Sequence, residues 1–312
     1  VKTVVTGAAG FIGSQLAERL LDEGHEVVGI DAFIDFYPRA DKEQNLAAAR
    51  ESSAYRFVEG RLQDLPLPQL LEGAGQVYHL AAQAGVRPSW GRDFEIYADN
   101  NVLATQRLLE AAVAAGVPRF VYASSSSVYG DAPALPLRED GVCRPVSPYG
   151  VTKLAAEHLV HLYGTNLGLP VVSLRYFTVY GPRQRPDMAF HRFLKAARDG
   201  TDIHLYGDGR QTRDFTFVDD IVSATRAAAD QGRAGRVYNV GGGDRVELNH
   251  VLDEVRAVTG RTPRVVREAS QKGDMRDTLA DTGAARDDLG FRSTVSLRDG
   301  LAREWDWLRA RP

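Results

Sequence analysis

A doubly wound parallel α/β sheet with a smaller C-terminal α/β lobe is predicted by three features of the sequence. Short apolar runs recur through the first 175 residues, amphipathic stretches separate them, and a glycine-rich turn joins the first run to the first such stretch. The runs are KTVVT (2–6), EVVGI (26–30), YRFVE (55–59), QVYHLA (76–81), RFVYAS (119–124) and VVSLRYF (171–177). Their near-continuous apolar character is what strands covered on both faces require. Between the first two, Ile12, Leu16 and Leu20 recur every four residues and Gly24 stops the helix. Another helix is predicted over 100–116, ended by Gly116 and Pro118. After about residue 176, loops rich in Gly and Pro (YGPRQRPDM, YGDGRQTRDF, VGGGDR) mark the second lobe. The expected division is 1–175 for the sheet domain, with 214–242 returning to it, and 176–213 with 243–312 for the substrate-binding lobe.

Composition narrows the function. The chain has 312 residues, 44% apolar and 25% charged, as in ordinary globular proteins. A net charge of -3 with no Lys/Arg cluster argues against nucleic acid or a membrane surface as partner. No apolar stretch approaches the roughly 20 residues of a bilayer span. The opening VKTVVTG reads as a strand rather than a signal peptide, so a cytoplasmic protein is expected. Cys143 is the only cysteine, which excludes an internal disulfide and a cysteine-based zinc site; an inert loop thiol and no metal are expected.

Residues 6–13, TGAAGFIG, follow a strand and open a helix. Gly7, Gly10 and Gly13 permit a tight turn, close approach to a pyrophosphate and helix-on-strand packing, while the helix start at Phe11 and Ile12 offers free N–H groups to the anion. Asp31 ends the second strand, where a carboxylate accepts both hydroxyls of an adenosine ribose and repels a 2′-phosphate. A Rossmann-type NAD site follows; the alternative for Asp31 is a helix or turn cap.

Two further stretches stand at strand and helix ends. VYASSSSVYG (121–130) runs from a strand straight into four serines, placing them where open α/β sheets bind ligands. SPYGVTKLAAEHL (147–159) reads as a helix start with Ser147 as cap and Pro148 in the first turn. Tyr149 and Lys153 then share one helix face. A neighbouring ammonium and a positive nicotinamide favour tyrosinate, and bringing a phenol from about 10 towards 7 needs roughly 4 kcal/mol. Tyrosinate could take a proton from a sugar hydroxyl.

TGAAGFIG, Asp31, the serine run and YGVTK together resemble the extended short-chain dehydrogenase/reductase family, in its nucleotide-sugar epimerase branch, over essentially the whole chain. The resemblance implies that Ser125 bonds the reacting hydroxyl, that Tyr149 is the catalytic base, and that Lys153 is its partner and ribose anchor. It implies Asp64 near the adenine, Ala81, Ala82 and Gln83 on the pyrophosphate and nicotinamide-ribose side, and Asn101 near the site; a buried bond to backbone is the alternative for Asn101. Sugar-nucleotide 4,6-dehydratases are similar but carry Asp-Glu at the positions of Ser126 and Ser127, and UDP-glucuronate decarboxylases carry Glu at the second. Without a carboxyl there, elimination lacks a proton donor, which points to epimerisation.

RYFTVYGPRQRPDM (175–188), with AQAGVR (82–87) and ASSSSVYG, resembles the UDP-glucuronate 4-epimerases. Thr178 stands where hexose 4-epimerases have Asn. Ser125, Ser126, Ser127 and Thr178 could ring a carboxylate with hydroxyl donors. Arg185 is expected at the diphosphate or the sugar, and Arg87 in the same neighbourhood. The resemblance assigns Arg213 to the diphosphate, and Asp274 and Arg276 to the nucleotide ribose and phosphates. Tyr206 suits a platform for uracil, and the segment from Met188 to Phe190 suits backbone bonds to the base. Gln271 replaces an arginine of many hexose epimerases. Two lobes suit a reaction in which one grips a UDP-sugar nucleotide while the sugar turns. The stretches 100–115 and 149–163 are expected to pair in a homodimer, as in relatives. A UDP-glucose or UDP-N-acetylglucosamine 4-epimerase and a catalytically silent NAD sensor are the competing readings.

Overall fold

The computed structural model describes residues 1–131, 134–269 and 273–311; Gln271 lies outside them. Six strands fall on the predicted runs: β1 (Lys2–Thr6), β2 (Glu26–Asp31), β3 (Tyr55–Glu59), β4 (Gln76–His79), β5 (Phe120–Ser125) and β6 (Val171–Tyr176). A seventh, β7 (Val237–Val240), pairs with β6, giving an all-parallel sheet in the order β7-β6-β5-β4-β1-β2-β3. Because β4 lies on the opposite side of β1 from β2, the chain reverses direction across the sheet between β1 and β4. A crevice opens there at the strands' carboxyl ends.

Neighbouring residues of one strand serve opposite faces. Val4 packs with Val77, Leu108, Ala112 and Val160, whereas Val5 packs with Leu16, Leu20 and Val121. The first face is covered by α2 (Ala104–Ala114) and α3 (Pro148–Leu167), the second by α1 (Phe11–Asp22) and α5 (Val218–Asp230), with α4 (Ala189–Asp199) between α3 and α5 in the chain. Ser147 caps α3 by accepting a bond from the Gly150 N–H, and Gly168 ends it in the left-handed conformation.

The helix expected over 100–116 begins earlier and is not regular. A helical turn at Phe94–Tyr97 passes into a π-helical segment, Ala98–Leu103, before α2. Asn101 is the reason visible at this point. Its Oδ1 accepts from the Gln83 N–H at 2.7 Å, and its Nδ2 donates to the Gln83 carbonyl and the Thr152 hydroxyl, both at 3.0 Å. The wider turn aims the amide at that loop.

Beyond β6 the chain adds α4, α6 (Leu248–Thr259), α7 (Leu297–Arg309) and short strand pairs such as Ile203–Tyr206 with Val265–Glu268. The VGGGDR stretch leads into α6, which runs unbroken to Gly260. The apolar core passes without a break into this region: Tyr180, Phe190, Phe217, Val251 and Trp305 belong to the same cluster as Val5 and Leu16. No helix among the described residues is long and apolar enough to cross a membrane.

Gly13 shows how tightly α1 sits on β1. A Cβ there would lie 2.1 Å from the Gly7 carbonyl oxygen, a backbone atom that cannot swing aside. Gly13→Ala should therefore cost about 1–3 kcal/mol through forced separation of helix and strand. Urea unfolding checks the loss, and the NAD content of the purified variant should fall with it.

Candidate active site

The glycine turn shapes a cavity along the sheet's carboxyl edge. Gly7 takes φ 72, and a Cβ on it would stand 2.8 Å from the Ala81 nitrogen. Gly10 caps α1 without a side-chain bond, so the first-turn amides remain for a ligand. Gly7, Gly10, Phe11, Ile12 and Gly13 line one part of the cavity, Asp31 another, and Ala81, Ala82, Gln83, Tyr149 and Lys153 the rest. Asp31 receives the Ala9 N–H at 3.1 Å on Oδ2 and the Phe33 N–H at 2.9 Å on Oδ1. Burial raises its pKa against those bonds, and each oxygen keeps capacity for a hydroxyl. An anion-binding helix end, a ribose-binding carboxylate and an elongated lining together fit a dinucleotide.

Two cofactor expectations need correction. Asp64 does not line the cavity; its side chain is 68% exposed, and Arg61, Leu62 and Gln63 form the wall instead. The turn after β3 points the aspartate outward. Asn101 does not line it either: it is buried and holds Gln83, which does. Lys42, Tyr37 and Phe36 line the cavity as well. Nothing in their polar or aromatic surroundings marked them in the sequence, since they reach the site through the loop after β2.

Tyr149 lines both this cavity and a second cleft of about 770 Å³ between the sheet and the C-terminal region. Burial raises its pKa, while a hydrogen bond with Ser125 and the charge of Arg185 oppose the rise. Lys153 was expected to be the cation acting on Tyr149. Its Nζ instead donates to the Ala123 carbonyl at 2.6 Å and lies 4.4 Å from the Tyr122 ring centre. Burial pulls Lys153 down to about 7, against an upward pull from Glu157. Arg185 is thus the cation the protein itself sets against Tyr149, and burial still prevails.

Behind Lys153 lies a buried ion pair. Glu157, one turn further along α3, accepts from Arg175 at 2.6 Å and 3.1 Å and from the Ser124 hydroxyl at 2.5 Å. Arg175 also donates to the Tyr129 hydroxyl at 2.8 Å. Burial works against the Arg175 charge, but its bonds to Glu157 hold it firmly protonated. The spacing Tyr149, Lys153, Glu157 on one helical face was the sequence signal for this glutamate. His79 is buried between the hydroxyls of Thr6 and Thr105, each 2.8 Å away, and burial drives it down to about 3, so it stays neutral.

The second cleft gathers Ser125, Ser126, Ser127, Thr178, Arg185 and Met188, together with Arg87, Tyr206, Arg213 and Asp274. The serine turn is Ser125 followed by a 3-10 turn, with the Ser125 hydroxyl accepting from the Ser127 N–H. Gly150 lets α3 approach it: a Cβ there would be 2.5 Å from the Ser127 carbonyl oxygen. Arg185 pairs with both oxygens of Asp187, at 3.0 and 3.1 Å. Arg87 pairs with Asp274 at 2.7 Å and lies 4.1 Å from the Tyr206 ring centre, so the aromatic face expected to carry a base is stacked by a guanidinium. Burial lowers the Arg213 pKa; Nη1 donates to the Thr212 and Arg276 carbonyls, and among the described residues it has no ion-pair partner within 4.0 Å. A half-buried cation so placed suits a phosphate.

Two of the expected residues keep their side chains out of this cleft. Phe190 turns its ring into the core, 4.5 Å from the Phe215 ring and 5.0 Å from the Tyr180 ring, while Met188 and Ala189 of the segment expected to bond the base through its backbone line the cleft, as do Arg192 and Phe193 of α4. The Arg276 side chain is 79% exposed and stays outside, contributing only its carbonyl to Arg213. Cys143 is a half-buried loop thiol whose pKa burial raises. No group of three or more His, Cys, Asp or Glu side chains suited to a metal occurs among the described residues.

The depressed Lys153 pKa has a consequence for stability. Between about pH 7 and its ordinary value of 10.5 the unfolded chain binds this proton and the folded chain does not. Stability contributed at this site therefore rises with pH across that window, and the penalty is full below it. Relative to Lys153→Met, the wild type should gain stability between pH 7 and 10. Urea midpoints of both proteins at several pH values test this; a constant gap would show an unshifted lysine.

Residues 3–241 match the model of the NAD dependent epimerase/dehydratase family. The chain is 43% identical over 310 residues to the "Uncharacterized UDP-glucose epimerase YtcB" of Bacillus subtilis, covering 99% of this chain and 98% of that protein. Its fold superimposes, with a TM-score of 0.97, on a crystal structure of UDP-glucuronic acid 4-epimerase from Bacillus cereus in complex with UDP-glucuronic acid and NAD, at 43% identity and 99% coverage of both chains. MoeE5 in complex with UDP-glucose and NAD is similar at TM-score 0.90 and 44% identity, again over 99% of each chain. With the glycine turn, Asp31, Tyr149 and Lys153 placed around one cavity, the chain belongs to the NAD dependent epimerase/dehydratase family.

Proposed function

We propose that the protein is an NAD-dependent C4 epimerase of a UDP-sugar, and that UDP-glucuronate to UDP-galacturonate is the reaction its site fits best. The observation that carries this reading is Tyr149 as shared wall of the dinucleotide cavity and the adjoining cleft, beside a serine turn without a carboxyl group. Gly7, Gly10, Phe11, Ile12 and Gly13 hold the pyrophosphate, Asp31 the adenosine ribose, and Gln83 and Lys153 the far end. NAD bound there supplies the acceptor and donor of two electrons at C4 of the sugar.

The protein's own groups move the proton. Tyr149 takes it from the C4 hydroxyl, which Ser125 orients, and returns it to the same oxygen after the 4-keto sugar has turned over. Turning requires a fixed pivot and a roomy pocket. Arg213 grips the diphosphate, and the cleft leaves the sugar end space. Ser126, Ser127 and Thr178 offer hydroxyls to the C5 carboxylate, and Arg185 lines the same cleft with its charge acting on Tyr149.

Incubation with UDP-glucuronate should give UDP-galacturonate with little CO2, and Tyr149→Phe should abolish turnover while retaining NAD. Predominant pentose product, or faster turnover of UDP-glucose, would replace the glucuronate assignment. A protein that loses nothing on this substitution would be a sensor.

A homodimer is part of the same proposal. Leu103 before α2, and Val151 and Leu162 on α3, stand 41–50% exposed on helices whose other faces cover the sheet. Sedimentation should give about twice the monomer mass of 34.2 kDa, and Leu162→Glu should shift it towards the monomer.

A further inference from the structure

Arg183 takes φ 69, a left-handed conformation that only Phe33 shares among the described residues other than glycine. Such a backbone is strained for a residue with a side chain, and it persists where surroundings enforce it. The enforcing groups lie on α1. Arg183 donates to the Ser14 hydroxyl at 3.1 Å and to both Glu18 oxygens, at 2.8 and 3.1 Å. Gln15, between them, donates from Nε2 to the Pro182 carbonyl at 3.0 Å. The loop after β6 is thereby fastened to the helix whose first turn faces the dinucleotide cavity.

The same loop is held from the other side. The Gly181 N–H donates at 2.9 Å to Glu304 on α7, a wholly buried carboxyl whose pKa burial raises. Gln184 donates to the Val179 carbonyl at 3.0 Å and accepts from the His191 N–H at 2.9 Å. Arg185 follows two residues after the strained one, and its charge acts on Tyr149.

We propose that Arg183 and Glu18 are positioning residues: they set Arg185 beside Tyr149 and hold the sugar-side loop in one rigid body with the cofactor helix. The inference rests on the epimerase reading, because it gives Arg185 a sugar to meet. An arginine in a conformation glycine would adopt freely is accounted for by the grip of its guanidinium. With Nη1 on Ser14 and Nη2 across both Glu18 oxygens, two nitrogens of one planar group fix direction as well as distance, which the single ammonium of lysine could not do.

A double-mutant cycle separates positioning from plain stability. Arg183→Gly relieves the backbone and removes the staple, so the fold should survive; Glu18→Gln keeps the shape and weakens the pair. Calorimetry with UDP-glucuronate on the NAD-loaded proteins should show affinity falling about tenfold or more in Arg183→Gly, with a smaller loss in Glu18→Gln. In an Arg185→Ala background the added Arg183→Gly should change affinity by less than about twofold. Equal losses in both backgrounds, or none in either, would sink the proposal. If the wild type does not bind UDP-glucuronate, the epimerase reading fails on its own. The positioning claim is then decided by crystal structures of Arg183→Gly and the wild type: a displaced Arg185 supports it, an unmoved one overturns it.

Discussion

Partial desolvation of Tyr149, half-buried where two cavities meet, is the constraint around which the site is arranged. On the proposed mechanism a phenol that must ionise is placed where burial opposes ionisation, and the lysine one turn away is itself disfavoured as a cation. The surroundings offset this piecemeal. Ser125 bonds the tyrosine, Arg185 supplies positive charge from another loop, and Glu157 supports the Lys153 charge from behind. Glu157 can do so because Arg175 and Ser124 hold it, so one buried ion pair lies beneath the proton-transfer machinery. Such a pair adds little net stability after desolvation, and removing either partner would strand a charge. Its consequence is electrostatic: a fixed field at the end of β5.

The parallel sheet brings these groups together. β5 supplies Ser124 and Ser125, and β6 supplies Arg175 and leads into the loop carrying Arg185. α3 lays Tyr149, Lys153 and Glu157 along one face across both strand ends. The glycines fit α1 against β1 closely enough that the cofactor helix can also hold the Arg183 loop. The second region grips that loop through Glu304 and shares the sheet's core, so the cleft lies within one packed body rather than between two independent ones.

Much of this was legible because it is local. Apolar runs, the glycine turn, the Ser147 cap and the four-residue spacing of Tyr149 and Lys153 are written within short windows, and each forms where its pattern places it. The failures follow from side-chain direction. Asp64 and Arg276 lie one residue from Gln63 and Met275, which do line the cavities. A shift of one residue in a turn or helix exchanges solvent or core for the site. Asn101 took its alternative role, bonding backbone, through a π turn that no periodicity announces. Glu18 and Arg183 were unreadable for another reason: they are separated by 165 residues and meet only in the fold.

The dryness that opposes ionisation of Tyr149 also bears on the substrate. On the proposed reaction, oxidation at C4 makes the glucuronate a β-keto acid, which loses CO2 when its carboxylate is stripped of hydrogen bonds and aligned with the carbonyl π system. A site dry enough to sharpen proton transfer would promote that loss unless donors replace the missing water. Ser126, Ser127 and Thr178 line the cleft and on that reading would be such donors, short enough to fix orientation and uncharged, so they add no field against Arg185 or Tyr149. A carboxyl at position 127 would repel the substrate's carboxylate and could protonate the carbanion left by decarboxylation. Hydroxyls at these positions and a half-buried tyrosine are therefore complementary: the first makes the second compatible with an acidic sugar.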